Sequence, residues 1–560
     1  MRVAAIGGGG YAAPSVSTGP RTIRLRPWQK AALDAFEARP GPDFLAVATP
    51  GAGKTTLALA AARQDLAAHP GRRLVVVAPT QHLKGQWADA AERFGLHLDP
   101  EWAPGAGIPA DVHGLVTTYQ QVAGAAPALA RVAGGSFAVL DEVHHAGDER
   151  AWGDGARQAF AGAAVRLALS GTPFRSDTRA IPFVAYDAGG EAEPDVEYGY
   201  GRALADRGVV RPVHFPRIGG EMEWIGADGE GAAASFDDAL DPVRSAQRLR
   251  TALAPEGEWL PDVLGRAHAR LREVRRSHPG AGGLVIAIDR EHARAIAGIM
   301  ARRLGVHPVV ATSDDPQASA RIAAFARGTD PWIVAVRMVS EGVDIPRLRV
   351  GVFATTTTTE LFFRQAVGRL VRWTRGLGRQ PSYMFIPDDP RLRGHAWAIA
   401  EERRHVLRRP GDEGVTSERD GLDEVPDRRE SEQLSLFAAV SSRASDSEDV
   451  HRPEEALGLP HPDDPEDHEE VVLELMPAPH LGAGQAPEAW ASEAPPRERR
   501  RALREANASL AKAIARMTGL SHAQVNAELN RRVGLRRIDE ATLEQLERRR
   551  AQAARWLASA

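Results

Sequence analysis

The sequence predicts two tandem α/β lobes, each built on a parallel sheet, then an acidic disordered tether and a small C-terminal helical bundle. Three observations carry that reading. From Arg21 to about Phe215, short apolar runs alternate with longer helical stretches, and the alternation returns between about 261 and 410. Charge divides along the chain: residues 1–410 carry 50 basic and 44 acidic side chains, residues 411–500 carry 8 and 24, and residues 501–560 carry 12 and 6. Residues 498–560 space their apolar side chains at helical intervals.

Residues 1–20 read as a flexible tail, because Pro14 and Pro20 deny the run Gly7–Gly10 the helix that a dinucleotide-binding loop needs. The first lobe, 21–215, is expected to place strands at Phe44–Ala48, Leu74–Ala78, Gly114–Thr117, Phe137–Leu140 and Leu167–Ser170. An irregular inter-lobe connection spans 216–260. The second lobe, 261–410, repeats the pattern at Leu284–Ile288, Pro308–Ala311, Trp332–Val336, Val350–Ala354 and Ser382–Ile386. Residues 411–497 are rich in Pro, Ser and Glu and too charged to bury the apolar area that would offset chain entropy, so a disordered tether is expected. In 498–560, Ile514, Met517, Val525, Leu529, Leu543, Leu546 and Trp556 mark about three helices, broken at Thr518–His522 and Arg536–Thr542. The basic excess of this bundle fits either a grip on nucleic acid or docking against a lobe or partner.

Composition excludes several chemistries. The absence of cysteine removes disulfides, thiolate zinc sites, iron–sulfur clusters and cysteine nucleophiles together. No apolar run approaches the ~18 residues of a membrane span, and the opening residues have too short an apolar core for a signal peptide. A soluble, cytoplasmic protein is the expectation. Lysine is scarce, only Lys30, Lys54, Lys84 and Lys512, so each one is informative in an arginine-rich chain.

The sharpest motif runs from Ala48 through Gly51, Gly53, Lys54, Thr55 and Thr56, between an apolar run and a helical stretch. A strand, a glycine-bearing loop and a helix start aim several backbone N–H groups at one point, which suits a phosphate chain. Lys54 is placed to hold β/γ oxygens and Thr55 to ligate Mg²⁺. Ala48 stands where the common pattern has its first glycine. Directly after Phe137–Leu140 come Asp141, Glu142, Val143 and His144. Two adjacent carboxylates at a strand end divide labour, Asp141 on the Mg²⁺ shell and Glu142 polarising the attacking water.

In this order the motifs resemble those of the superfamily 2 DEAD/DEAH-box helicases, nearest the XPB-like and type III restriction translocase groups, over about residues 21–400. The resemblance implies RecA-like lobes. It implies adenine reading by Gln29 in the segment Leu25–Gln29, strand contacts at Ala78-Pro79-Thr80 and at Thr117-Thr118-Tyr119-Gln120, and a DExH box at Asp141–His144. It also implies a coupling motif from Ser170 to Arg175, with His144 linking the ATP site to Gln365. In the second lobe, Leu284–Ile288 leading to Asp289 is a weak match. Ser340–Pro346 is a strong one, implying Gly342 near the γ-phosphate and Asp344 near the ribose. The run Gln365 to Arg372 implies the finger arginines, Arg372 with Arg369 beside it, because a planar cation stabilises the transferring phosphoryl group when the lobes close. Gln365, Arg369 and Arg372, at i, i+4 and i+7, are expected on one helical face.

Thr80, Thr118 and the run Thr355–Thr359 are candidates for gripping a nucleic-acid backbone, since hydroxyls bind phosphates without reading bases. Inside the acidic tether, Gln433, Leu434, Ser435, Leu436 and Phe437 form an apolar island that needs a burial site. It either folds back onto a lobe or, as its similarity to the bacterial sliding-clamp-binding motif implies, enters a groove on the replication clamp. The expected activity is an ATP-dependent DNA helicase or translocase of replication, repair or recombination, using ATP and Mg²⁺. The rivals are an RNA helicase, an ATP-gated adaptor, and a restriction motor that lacks a nuclease motif.

Overall fold

The computed structural model describes residues 22–144, 150–171, 180–186, 192–206, 208–226, 231–312, 315, 317–336, 345–374, 376–378, 380–407, 438–449, 471–475 and 496–559. Gly342 and Asp344, the remainder of the coupling motif after Gly171, and the island Gln433, Leu434, Leu436 and Phe437 lie outside them.

The first lobe is a parallel sheet whose strands run, side by side, Leu98–Asp99, Gly114–Thr118, Leu74–Ala78, Phe137–Leu140, Val165–Ser170, Asp43–Ala48 and Val196–Tyr198. The inner strands are buried on both faces, which is why they read as continuous apolar runs. Helices such as Lys54–Ala68, buried along Leu57–Arg63, cover the faces. The second sheet runs Gly231–Ser235, Pro216–Ile225, Ser382–Pro387, Leu348–Ala354, Gly282–Ala287, Trp332–Ala335 and Val309–Ala311. Its pairings are parallel except where Pro216–Ile225 meets Gly231–Ser235 in a hairpin and, on its other side, the later strand Ala438–Asp449. These are the two α/β lobes that the strand pattern predicted, with the RecA-like form that the resemblance implied.

Two regions differ from expectation. The stretch 216–260 is not a loose connection: Pro216–Ile225 pairs with Ser382–Pro387, and Val213–His214 joins the same strand, so the second lobe begins earlier than its strongest apolar runs. Half-exposed strands alternate apolar and polar residues and give no continuous run to find. The acidic segment is also not strandless. Ala438–Asp449 lies antiparallel along Pro216–Ile225, and Val471–Glu474 lies antiparallel to Thr22–Leu25. Local apolar residues there find sheet edges that composition averaged over the segment conceals.

The C-terminal helices Pro496–Thr518, His522–Arg532 and Leu543–Ser559 pack around Ala511, Ile514, Val525, Leu529 and Ala553. Arg549 is fully buried and donates to Asn530, Asn507 and Asn526 at 2.9, 3.0 and 2.6 Å, so each guanidinium nitrogen is satisfied. This bundle sits on the edge of the first lobe. Arg500 meets Asp111 at 2.7 Å, Arg504 meets Asp99 at 3.0 Å, and Arg497 pairs with Asp89. Among the described residues no helix is long and apolar enough to cross a membrane.

Candidate nucleotide site at the lobe interface

Three adjacent strands of the first sheet, Phe137–Leu140, Val165–Ser170 and Asp43–Ala48, deliver their carboxyl ends to one place, where open α/β sheets bind ligands. From Asp43–Ala48 the chain turns through Gly51 (φ 91°) and Gly53 (φ 95°), both in the left-handed region, and enters the helix at Lys54. A Cβ on Gly53 would stand 2.5 Å from Gln29 Nε2. Thr55 and Thr56 occupy the first turn of that helix.

The loop is held from behind by the segment that precedes it. Arg26 donates to the carbonyls of Gly51 (3.1 Å) and Ala52 (2.8 Å), Trp28 Nε1 to Ala52 O (3.2 Å), and Gln29 Nε2 to Gly53 O (2.9 Å). Gln29 Oε1 accepts from Arg26 N–H at 2.8 Å, so in this arrangement the Gln29 amide braces the phosphate loop. Trp28 stacks on Tyr198 with centroids 4.7 Å apart.

Lys54 Nζ lies 3.2 Å from Glu142 Oε1 and donates to Ala48 O at 3.1 Å, while Gly171 N–H donates to Glu142 Oε2 at 3.1 Å. Burial pushes the Glu142 carboxyl up, but Lys54, His144 and these hydrogen bonds outweigh it and hold it down at about 2. Glu142 also adopts φ 46°, a left-handed conformation that costs a non-glycine residue roughly 1–2 kcal/mol. Asp141 is buried, and its Oδ2 accepts from Trp87 Nε1 at 2.8 Å. Trp87 was not singled out in the sequence, where it is one apolar residue on the helix Gln81–Arg93.

The second lobe closes the site. Gln365 Nε2 is 3.0 Å from His144 Nε2, and His144 Nδ1 lies 3.1 Å from Ser170 Oγ and 3.7 Å from Glu142 Oε2. With the Gln365 amide donating to Nε2, the imidazole proton sits on Nδ1 and faces Ser170 and Glu142. A Cβ on Gly368 would stand 2.6 Å from Pro50 Cβ and Cγ, and one on Gly51 would stand 3.3 Å from Arg372 Cδ and Nη1. The arginine of the second lobe thus lies directly over the phosphate loop of the first.

The expected single helical face is corrected here. The helix Glu360–Gly368 carries Gln365, Arg369 caps its C-terminus, and the buried Leu370 and Val371 draw the chain inward, so Arg372 sits in an extended bridge with Val210. Arg211, missed in the sequence, fixes that bridge. Its N–H donates to Val371 O at 2.9 Å, and its buried guanidinium reaches Leu348 O, Pro346 O and Thr374 Oγ1. Desolvation, then Arg349, lowers its pKa to about 9.

Of the threonines expected to grip a backbone, Thr118 and Thr355 make local hydrogen bonds. Thr118 is buried and its Oγ1 caps the helix Tyr119–Ala133, accepting from Gln121 N–H at 3.2 Å. Thr355 is buried and accepts from Thr357 N–H at 3.4 Å. Thr80 stands at the N-terminus of Gln81–Arg93, half-buried and without a side-chain cap bond.

Residues 22–175 match the family model described as type III restriction enzyme, res subunit. The chain is 49% identical over 405 residues to Uncharacterized protein Rv2917 of Mycobacterium tuberculosis, covering 71% of this chain and 67% of that one. It is 47% identical over 394 residues to Uncharacterized protein ML1624 of Mycobacterium leprae, covering 69% and 65%. Among solved structures, it is similar at TM-score 0.45 and 16% identity to the ATP-dependent Type ISP restriction-modification enzyme LlaBIII bound to DNA, over 70% of this chain and 30% of that one. Half-identical to Rv2917 over two thirds of that chain, and with its first lobe matching the type III restriction enzyme res-subunit model, the chain belongs to the Rv2917 family.

Proposed function

We propose that the protein is an ATP-dependent DNA helicase or translocase of replication, repair or recombination, recruited to the replication sliding clamp. The observation that carries the motor assignment is Arg372 of the second lobe lying against Gly51 of the phosphate loop, in the same cleft as the Lys54–Glu142 pair. Phosphates entering the loop compete for Lys54. Glu142 then loses its strongest opposing charge, its pKa rises toward that of a useful base, and it can orient the attacking water. Arg372 and Arg369 neutralise charge on the transferring group, and Gln365 senses the state of Glu142 through His144.

The donor set fits Mg²⁺. Among the described residues no cluster of three or more His, Asp or Glu holds a metal unaided, and a nucleotide-borne Mg²⁺ asks the protein for only one or two oxygens. Thr55 and Asp141 would hold it, and it would neutralise the β/γ-phosphate oxygens.

DNA is favoured over RNA by the match of the first lobe to a restriction-enzyme motor subunit. Clamp recruitment rests on Gln433, Leu434, Leu436 and Phe437, whose chain runs on directly into the strand Ala438–Asp449 at the edge of the second sheet. The test is ATPase rate against single-stranded, duplex and forked DNA and RNA. Lys54→Ala is expected to abolish turnover, and Glu142→Gln to keep ATP binding while losing hydrolysis. Near-normal turnover in both variants rejects the motor reading, and stronger stimulation by RNA replaces the substrate. A Leu436→Ala, Phe437→Ala double variant is expected to lose binding to the purified bacterial clamp while keeping DNA-stimulated ATPase. Equal clamp titrations for variant and parent reject recruitment.

A further inference from the structure

The strand Thr22–Leu25 ends one residue before the side chains that brace the phosphate loop, and among the described residues its only ladder partner is Val471–Glu474. The pairing is antiparallel and complete: Thr22 opposite Glu474, Ile23 opposite Leu473, Arg24 opposite Val472 and Leu25 opposite Val471. Its faces are unlike. Val472 is 59% exposed, whereas Leu473 packs against, and Leu475 is buried in, the apolar core that also holds Leu25, Trp28, Ala52 and Leu57. This is the period-two pattern of a strand with one face on a core.

The brace explains why that strand matters to nucleotide. Arg26, Trp28 and Gln29 together hold the carbonyls of Gly51, Ala52 and Gly53. In a trans peptide the N–H of the next residue points away from the carbonyl, so fixing Ala52 O and Gly53 O aims the N–H groups of Gly53 and Lys54 the other way, into the cleft. A two-stranded ribbon is marginal without packing, so Thr22–Leu25 depends on both its partner and the core contact.

We infer that residues 471–475 are a positioning element of the nucleotide site: the acidic segment returns to the first lobe as a strap that fixes the strand from which the phosphate-loop brace is hung. The same segment is also seated on the second lobe. There Ala438–Asp449 runs past glycines whose Cβ atoms would collide with it, Gly219 at 2.5 Å from Ser445 Oγ, Gly220 at 2.2 Å from Arg443 O and Gly257 at 2.0 Å from Ser442 Oγ. Glu258 N–H donates to Ser442 O at 3.0 Å. The acidic segment therefore touches both lobes, and its first-lobe end pairs with the strand that leads into the loop brace.

This inference rests on the ATPase reading above. The test compares Leu473→Asp with Val472→Asp in the full chain. Both add one charge to the same strand, but only the first forces it into the core. Leu473→Asp is expected to raise KM for ATP about tenfold or more, with kcat at saturating ATP within about twofold of the parent, while Val472→Asp leaves KM unchanged. Leu475→Ala should raise KM less, and Leu473→Ile should restore the parental value. If Leu473→Asp is too unstable to purify, the Leu475→Ala and Leu473→Ile pair decides. Equal KM values across the set, or an equal effect of the two aspartates, overturn the strap while leaving a working ATPase. An inactive parent chain overturns the function itself, so the two failures are distinguishable.

Discussion

The first lobe has two interfaces built on opposite physics. Toward the second lobe it offers Pro50 against Gly368, so close that a methyl group on the glycine has no room, and Gly51 beneath Arg372. Toward the C-terminal bundle it offers Asp99, Asp111 and Asp89, each matched to an arginine of the helix Pro496–Thr518. The first interface depends on steric fit and on groups that would act on a phosphate. The second depends on charge pairs, with Asp111 also accepting from Leu543 N–H at 2.8 Å and so serving the start of the last helix. In the proposed motor this joint would open and close, with Gln365 on His144 at 3.0 Å as a polar contact across it. A permanent mount gains from paired charge.

The strongest way to break the comparison is at the arginine. Arg372→Lys keeps the charge but loses the planar fork, and kcat should fall by about 10³ with little change in ATP affinity. An equal loss of rate and affinity would make Arg372 a simple binding residue. Next is Gly368→Ala, whose methyl has no place beside Pro50. A displacement of about 1 Å at the closed joint should lower kcat roughly 10²-fold. A variant with parental turnover would show that this contact is not closed during catalysis.

The bundle side should respond in stability and in salt instead. Asp111→Ala removes the partner of the nearly buried Arg500 and the acceptor for Leu543 N–H, and should destabilise the bundle by about 1–3 kcal/mol. Limited proteolysis should then release the bundle, and added salt should weaken the parental dock while leaving the Pro50–Gly368 contact indifferent. The smallest effect is the acid one. Glu142 is held at about 2 against an ordinary 4.5, so the stability it contributes is present above pH ~4.5 and lost as pH falls toward 2. The Tm gap between the parent and Glu142→Gln should therefore narrow on acidification through that window. A constant gap would mean that Lys54 does not pair with Glu142 in solution.

What the sequence determined by itself is local. Runs such as Leu74–Ala78 and Leu167–Ser170 are mainly apolar because both faces of an inner parallel strand are covered, and that requirement is written locally. Gly51, Gly53 and Lys54 were legible because a phosphate loop needs positive φ and a helix start within a few residues. What only the tertiary structure decided are meetings between distant residues. The Trp87 bond to Asp141, the Arg211 grip behind Arg372 and the strand Val471–Glu474 on Thr22–Leu25 have no local period. Each exists because one element leaves a polar group or a sheet edge that another, far along the chain, is positioned to satisfy. Periodicity announces what an element buries, not which distant element it meets.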